Sequence, residues 1–266
     1  MSFSINGKTA IVTGAAEGIG LAIGRHFLDQ GAHVVFADAD EARLRKELGP
    51  NTEGNRHRYF AGDLRERLTI ANLLSTTIDA FDQVDILVNG ARQIVPTDPL
   101  NPEDSSVETL LQQNLLTALH LSQAVARRMI RQAVDHDHAA AGAIVNISSL
   151  AAQRSHPDLM GYSIAAAALD QMTRALALAL APHRIRVNAV AFGSVMSDSL
   201  KAALRDSPDD RDLILRRTPL GRIAAPTELA EAVHYLASDG AGFMTGQIVT
   251  LDGGRGLLDP VETPAH

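Results

Sequence analysis

The chain is expected to form a doubly wound α/β fold, in which one seven-stranded parallel sheet carries helices on both faces within a single domain. Two features predict this. Short apolar runs bounded by turn residues alternate along the chain with longer amphipathic segments, an order that suits β-α units closing into a parallel sheet. No internal repeat and no Pro-, Gly- or Ser-rich linker divides the 266 residues, a length that one large α/β domain accommodates.

The expected strands are Lys8 to Val12, His33 to Ala37, His57 to Ala61, Ile86 to Asn89, Ala143 to Ile147, Ile185 to Val190 and Ile248 to Leu251. Helical periodicity covers Ile19 to Gln30, Leu64 to Phe81, Val107 to Ala133, Leu159 to Ala181 and Thr227 to Ser238, with Pro182 ending the long fourth helix. The run Asp135-His136-Asp137-His138 reads as a solvated surface loop, so no metal site is expected.

Composition excludes several function classes. With 31 acidic and 24 basic residues the formal charge is -7, which argues against broad attraction to nucleic acid or an anionic membrane. Any anionic ligand must therefore be held locally. Cysteine is absent, which removes disulfides, thiolate metal sites and cysteine nucleophiles and suits a reducing compartment. The N-terminus carries no signal-like segment, and no stretch reads as a membrane span, so a cytoplasmic location is expected.

Directly after the first strand comes Thr13-Gly14-Ala15-Ala16-Glu17-Gly18-Ile19-Gly20, where a helix begins. A glycine-rich turn from strand to helix lets backbone amides approach a pyrophosphate, with the positive end of the helix facing the charge. Gly14 suits the tight turn, Gly18 the close approach and Gly20 the packing of helix on strand. The second strand ends at Asp38, about 20 residues beyond the glycines, where a carboxylate accepts both adenosine ribose hydroxyls and repels a 2′-phosphate. No Arg or Lys follows until Arg43, so NAD(H) is expected over NADP(H). Asp63 and Leu64 follow the third strand on the adenine side, and Asn89-Gly90-Ala91 end the fourth at the same crevice.

From Gly7 to Gly254 the chain resembles the short-chain dehydrogenase/reductase family, of its 3-oxoacyl-reductase-like and polyol-dehydrogenase-like type, on a Rossmann-type fold. Thr13 to Gly20 resembles the family's TGxxxGxG, and Val88-Asn89-Gly90-Ala91-Arg92 a degraded NNAG. Asn114 falls at a helix-distorting asparagine, and Asn146-Ile147-Ser148-Ser149 resembles the strand of the catalytic serine. Tyr162 follows Ser149 by thirteen residues, which is the family's spacing. Arg186 to Val190, Pro219 to Arg222 and Thr245 to Gly254 continue the pattern. The resemblance implies an NAD(H)-dependent oxidoreductase interconverting a secondary alcohol and a ketone. In it Tyr162 serves as acid/base, Ser149 holds the substrate oxygen, and Asn114 completes the catalytic set.

One residue of that pattern is missing. A free tyrosine has a pKa near 10, and the family places a lysine four residues after the tyrosine, one helical turn along the same face. Here that position is Ala166. Three readings stay open: a substitute cation compensates, the chain is a dinucleotide-binding pseudoenzyme with a sensing or scaffolding role, or the alanine is an engineered replacement in an active enzyme. Arg92, standing where the family has glycine, is the leading substitute, with Arg154 and His156 weaker ones.

After the sixth strand the run Ala191-Phe192-Gly193-Ser194-Val195-Met196-Ser197 replaces the family's Pro-Gly start with Phe192-Gly193. Gly193, Val195 and Ser197 are expected to meet the nicotinamide side of the coenzyme. The segment 198–218 resembles the family's substrate lid, and 257–266 is a C-terminal tail. The two longest helices resemble those of the family's subunit interface, which implies a homotetramer or homodimer.

Overall fold

The computed structural model describes residues 3–133, 140–259 and 261; the Asp135 to His138 run lies outside them. Seven parallel strands, β1 (Thr9–Thr13), β2 (His33–Asp38), β3 (His57–Ala61), β4 (Ile86–Asn89), β5 (Gly142–Ser149), β6 (Ile185–Phe192) and β7 (Ile248–Leu251), form one sheet in the order β3-β2-β1-β4-β5-β6-β7. The chain starts at the centre, runs outward to β3, then returns to place β4 beside β1. That reversal opens a crevice beyond the carboxyl ends of β1 and β4, where ligands of open α/β sheets bind.

All seven expected strands form. β5 and β6 run two residues further than expected, because they stay paired to the register Ser149↔Phe192. The side chains along each strand alternate between two cores. On one face Val12, Val34, Phe36, Val88, Val145 and Val190 pack with residues of α1 (Gly18–Asp29) and α9 (Pro226–Ala237). On the other, Ile11, Val35, Leu87, Ile144 and Val187 meet α3 (Arg67–Phe81), α5 (Thr117–Ala133) and α6 (Met160–Leu180). Burial on both faces accounts for the nearly continuous apolar strands.

The helices depart from expectation in four places. α2 (Glu41–Leu48) forms although Leu44 alone among its residues is buried, so it leaves almost no hydrophobic periodicity; Asp40 caps it by accepting from the Arg43 amide at 2.9 Å. α3 begins at Arg67 rather than Leu64. The expected helix from Val107 to Ala133 is divided into α4 (Ser106–Leu111), a π-helical turn over Gln112–Leu116 and α5. The segment 198–218 carries α7 (Asp198–Asp206) and α8 (Pro208–Arg216). Against the expectation of no membrane-length segment, α6 with its flanking turns, Pro157–His183, is long and apolar enough to cross a bilayer by length and composition. Here it lies along β5, β6 and α4 and buries Tyr162, Ala165, Ala166, Leu169 and Thr173.

Close packing of α1 on the turn before it demands glycine at position 20, where a Cβ would sit 2.1 Å from the Gly14 carbonyl oxygen. Gly20→Ala is expected to destabilise the protein by about 1–3 kcal/mol in urea unfolding, the range for overpacked sites. Gly7→Ala, with open space for its Cβ, should cost only the strain of a positive φ.

Candidate active site

The turn between β1 and α1 is pinned to the end of β4. Thr13 Oγ1 accepts from the amides of Gly90 at 3.0 Å and Ala91 at 3.1 Å. Gly14, at φ +66°, passes so close to this pair that a Cβ would lie 2.7 Å from the Ala91 Cα. Gly18 takes φ +54°, and a Cβ there would stand 3.8 Å from the Ser197 Cβ, so the turn faces the start of the 198–218 segment. No side chain caps α1: the Glu17 carboxylate pairs with Arg43 instead. Ile19 is buried in the core, so at that position it is the backbone that faces the crevice end.

At the β2 edge, Asp38 accepts from the Ala16 amide at 3.0 Å and the Asp40 amide at 3.1 Å, which aims the carboxylate at the glycine turn. Asp63 is gripped by the Arg65 guanidinium, with bonds of 2.9 and 2.5 Å, and this partner holds its carboxyl below the usual carboxylate range. Leu64 turns into the core. Beyond β6, the Gly193 amide donates to the Leu251 carbonyl at 3.0 Å, Val195 is buried and bridged to Ala224, and Ser197 Oγ caps α7 by accepting from the Leu200 amide at 3.3 Å.

Buried polar side chains lock the ends of the middle strands. The Asn89 amide donates to Ser122 Oγ at 3.0 Å and Asn146 Oδ1 at 2.8 Å, and Asn146 donates in turn to Thr173 Oγ1 at 2.8 Å. The Asn89 amide nitrogen is thus spent within the protein, joining β4 to α5 and β5, and Asn146 carries the link on to α6. Asn114 sits in the π-helical turn and accepts from the Gln93 amide while donating to the Gln93 carbonyl, both at 2.8 Å. These two bonds fix the backbone just beyond Arg92.

A small cavity of about 20 Å³ is lined by Arg92, Asn114, Ser149, Tyr162 and Ala166 among its residues. The serine–tyrosine pair and the departing position 166 therefore meet in one place. The Arg92 Cζ lies 4.4 Å from the Phe192 ring centroid. Burial pushes the Arg92 guanidinium below the usual arginine value, while the Tyr162 phenol opposes that shift. The two weaker substitute cations point elsewhere: Arg154 donates to the Gly256 carbonyl, and His156 accepts from the Asp158 amide in an exposed turn.

Two participants carried no clear signal in the sequence, Gln93 and Asp170, while Thr13 was legible only as the start of the glycine turn and not as the residue that pins it to β4. Asp170 is buried on α6, and Ser148 Oγ donates to it at 2.5 Å. Burial pushes its carboxyl up, with the Ser148 bond partly opposing. A raised folded-state value means that the stabilising contribution is present in acid and is lost as pH rises through that value. Asp170→Asn is therefore expected to gain stability on the wild type as pH rises and to match it in acid. Asp170→Ala, which strands the Ser148 hydroxyl, should cost about 1–3 kcal/mol in denaturant unfolding.

Comparison with known proteins places this geometry in context. A family model described as enoyl-(acyl carrier protein) reductase matches residues 14–255. An L-fucose dehydrogenase of Mus musculus is 35% identical over 261 residues, covering 95% of this chain and 89% of that protein. A cis-4-hydroxycyclohexanecarboxylate dehydrogenase of Sinomonas cyclohexanicum is 35% identical over 248 residues, covering 93% and 96%. The crystal structure of gox2181 superposes with a TM-score of 0.87 at 31% identity, over 96% of this chain and 98% of that one.

Proposed function

Because the chain belongs to the short-chain dehydrogenase/reductase family of oxidoreductases, we propose that it interconverts a secondary alcohol and a ketone with NAD(H). The observation that carries this reading is the single cavity shared by Ser149 and Tyr162 at the carboxyl ends of the central strands, next to the glycine turn. A bound nicotinamide dinucleotide supplies the hydride donor or acceptor.

The residues present fit that coenzyme. Gly14 lets the turn close on the β4 end, Gly18, at positive φ, leaves open space that only the Ser197 side chain borders, and the uncapped start of α1 offers backbone amides and a positive dipole end to a diphosphate. Asp38 is aimed to accept the adenosine ribose hydroxyls, and its charge disfavours a 2′-phosphate. Arg43, the first basic residue after Asp38, is engaged by Glu17 rather than available to such a phosphate, which supports NAD(H) over NADP(H). Gly90, Ala91, Gly193, Val195 and Ser197 border the nicotinamide half, and Asp63 the adenine.

At the reacting end Tyr162 moves a proton to or from the substrate oxygen, and Ser149 holds that oxygen by hydrogen bonding. The relatives named above act, by their names, on a sugar and on a ring-borne hydroxyl; for this chain we propose a small alcohol or ketone closed in by the 198–218 lid. A cytoplasmic homotetramer or homodimer, with no nucleic-acid or membrane partner, completes the proposal. Ala166 favours one competing reading, a pseudoenzyme that binds the dinucleotide without turnover.

NADH oxidation and NAD⁺ reduction across a panel of ketones, sugars and polyols test this. The wild type is expected to turn over at least one pair, and Tyr162→Phe to lower kcat by about 10²-fold or more with KM little changed. Asp38→Ala is expected to narrow the preference for NAD over NADP by at least about tenfold, a change of about 1.4 kcal/mol. A wild type that binds NADH yet stays inert, as does Ala166→Lys, would instead identify the pseudoenzyme.

A further inference from the structure

We propose that Arg92 is the cation that stabilises the Tyr162 phenolate, supplied from the end of β4 rather than from the tyrosine's own helix. The inference rests on the proton-transfer role proposed above for Tyr162. It is carried by the way three unusual side chains come together.

The backbone around Arg92 is fixed on both sides. Thr13 Oγ1 holds the amides of Gly90 and Ala91, and Asn114 clamps both polar groups of Gln93. Between these clamps the side chain is directed inward, into the cavity that also contains Ser149, Tyr162 and Ala166. Its Nη1 is buried and has no hydrogen-bond partner among the described residues, an arrangement that costs stability and is expected where a ligand or a developing charge completes the site. The guanidinium carbon lies over the Phe192 ring, whose negative π-face attracts the cation. Phe192 is the register partner of Ser149, so this platform is built into the strand pair that presents the serine.

The alanine belongs to the same arrangement. Ala166 lies one turn beyond Tyr162 on the buried face of α6 and contributes only a methyl group to the cavity wall. A long side chain there would compete with the guanidinium for a space of about 20 Å³. Arginine suits the opposite wall because it stays charged when buried and its plane stacks on an aromatic ring, neither of which a lysine does as well. Of the other charged groups nearby, Asp170 reaches the site through Ser148 and is pushed by burial toward its neutral form. Arg154 and His156 are occupied in the adjoining loop.

The step is a proton transfer. The Tyr162 O–H bond breaks as an O–H bond forms at the substrate oxygen, the electron pair remains on the phenolate beside Arg92, and solvent later returns the proton. Substituting the cation should therefore change where the phenolate forms, before any coenzyme or substrate is added.

The chain has three tyrosines and no tryptophan, so the ultraviolet absorbance of tyrosinate, measured as wild type minus Tyr162→Phe, isolates one phenol. The same difference is then taken in backgrounds carrying Arg92→Gln, which keeps hydrogen bonding without charge, and Arg92→Lys, which keeps charge. The expected result is that Arg92→Gln moves formation of this phenolate about one pH unit or more upward, the size of effect an adjacent opposite charge produces. Arg92→Lys should retain most of the wild-type position, and Arg92→Gln with Ala166→Lys should restore it. An unmoved curve in Arg92→Gln, with circular dichroism confirming the fold, overturns the proposal. So does a rise in NADH affinity and turnover in that variant, which would make the arginine a plug. Because the titration needs neither coenzyme nor turnover, its failure is separate from failure of the oxidoreductase reading.

Discussion

The contact between the β1 turn and the β4 end sets the terms for everything around the site. One hydroxyl, that of Thr13, receives two amides from Gly90 and Ala91, and the two backbones approach so closely that neither Gly14 nor Gly90 has room for a Cβ. The approach determines where α1 begins, and hence where its positive end points. It also determines the direction in which the chain leaves β4, and so the entry of Arg92. A coenzyme crevice and a buried guanidinium are two consequences of one backbone contact.

Around that contact the structure uses polar groups where an ordinary core would use apolar ones. The Asn89, Ser122, Asn146 and Thr173 side chains form a satisfied buried network across β4, β5, α5 and α6. Such networks are rigid when every member is paired and costly when one is lost. They place Ser149 and Tyr162 with little freedom. By contrast, Arg92 Nη1 has no hydrogen-bond partner among the described residues, and the Asp170 carboxyl is buried against its preference for charge. At Arg92, where chemistry is proposed, stability is given up, as functional sites commonly do.

Much of this was legible in the sequence, for physical reasons. Strands buried on both faces are written as apolar runs, and all seven were readable. The glycine turn, the acid at the end of β2 and the spacing of Ser149 to Tyr162 are local patterns, and the structure brings each to the same edge of the sheet. Asn114 was readable as a helix-distorting residue, and the π-helical turn bears that out. Features set by tertiary contact were not. α2 buries a single residue, so its periodicity is silent. Asp63 lies two residues from Arg65 in sequence, yet nothing before the fold says that the two pair instead of standing apart. Arg92, Phe192 and Ala166 are far apart in the chain and each reads as an isolated departure; only the register of β5 on β6 and the clamps on Gln93 bring them to one point.

In the function proposed, an acidic protein holds a dianionic dinucleotide by local geometry alone, and Asp38 selects the form without a 2′-phosphate. Calorimetric titration of the unmodified chain with NADH and NADPH, at fixed salt, tests this most directly. Saturable heat is expected with NADH, and binding of NADPH at least about tenfold weaker, a difference of about 1.4 kcal/mol. No heat with NADH at millimolar concentration, or tighter binding of NADPH, would contradict it.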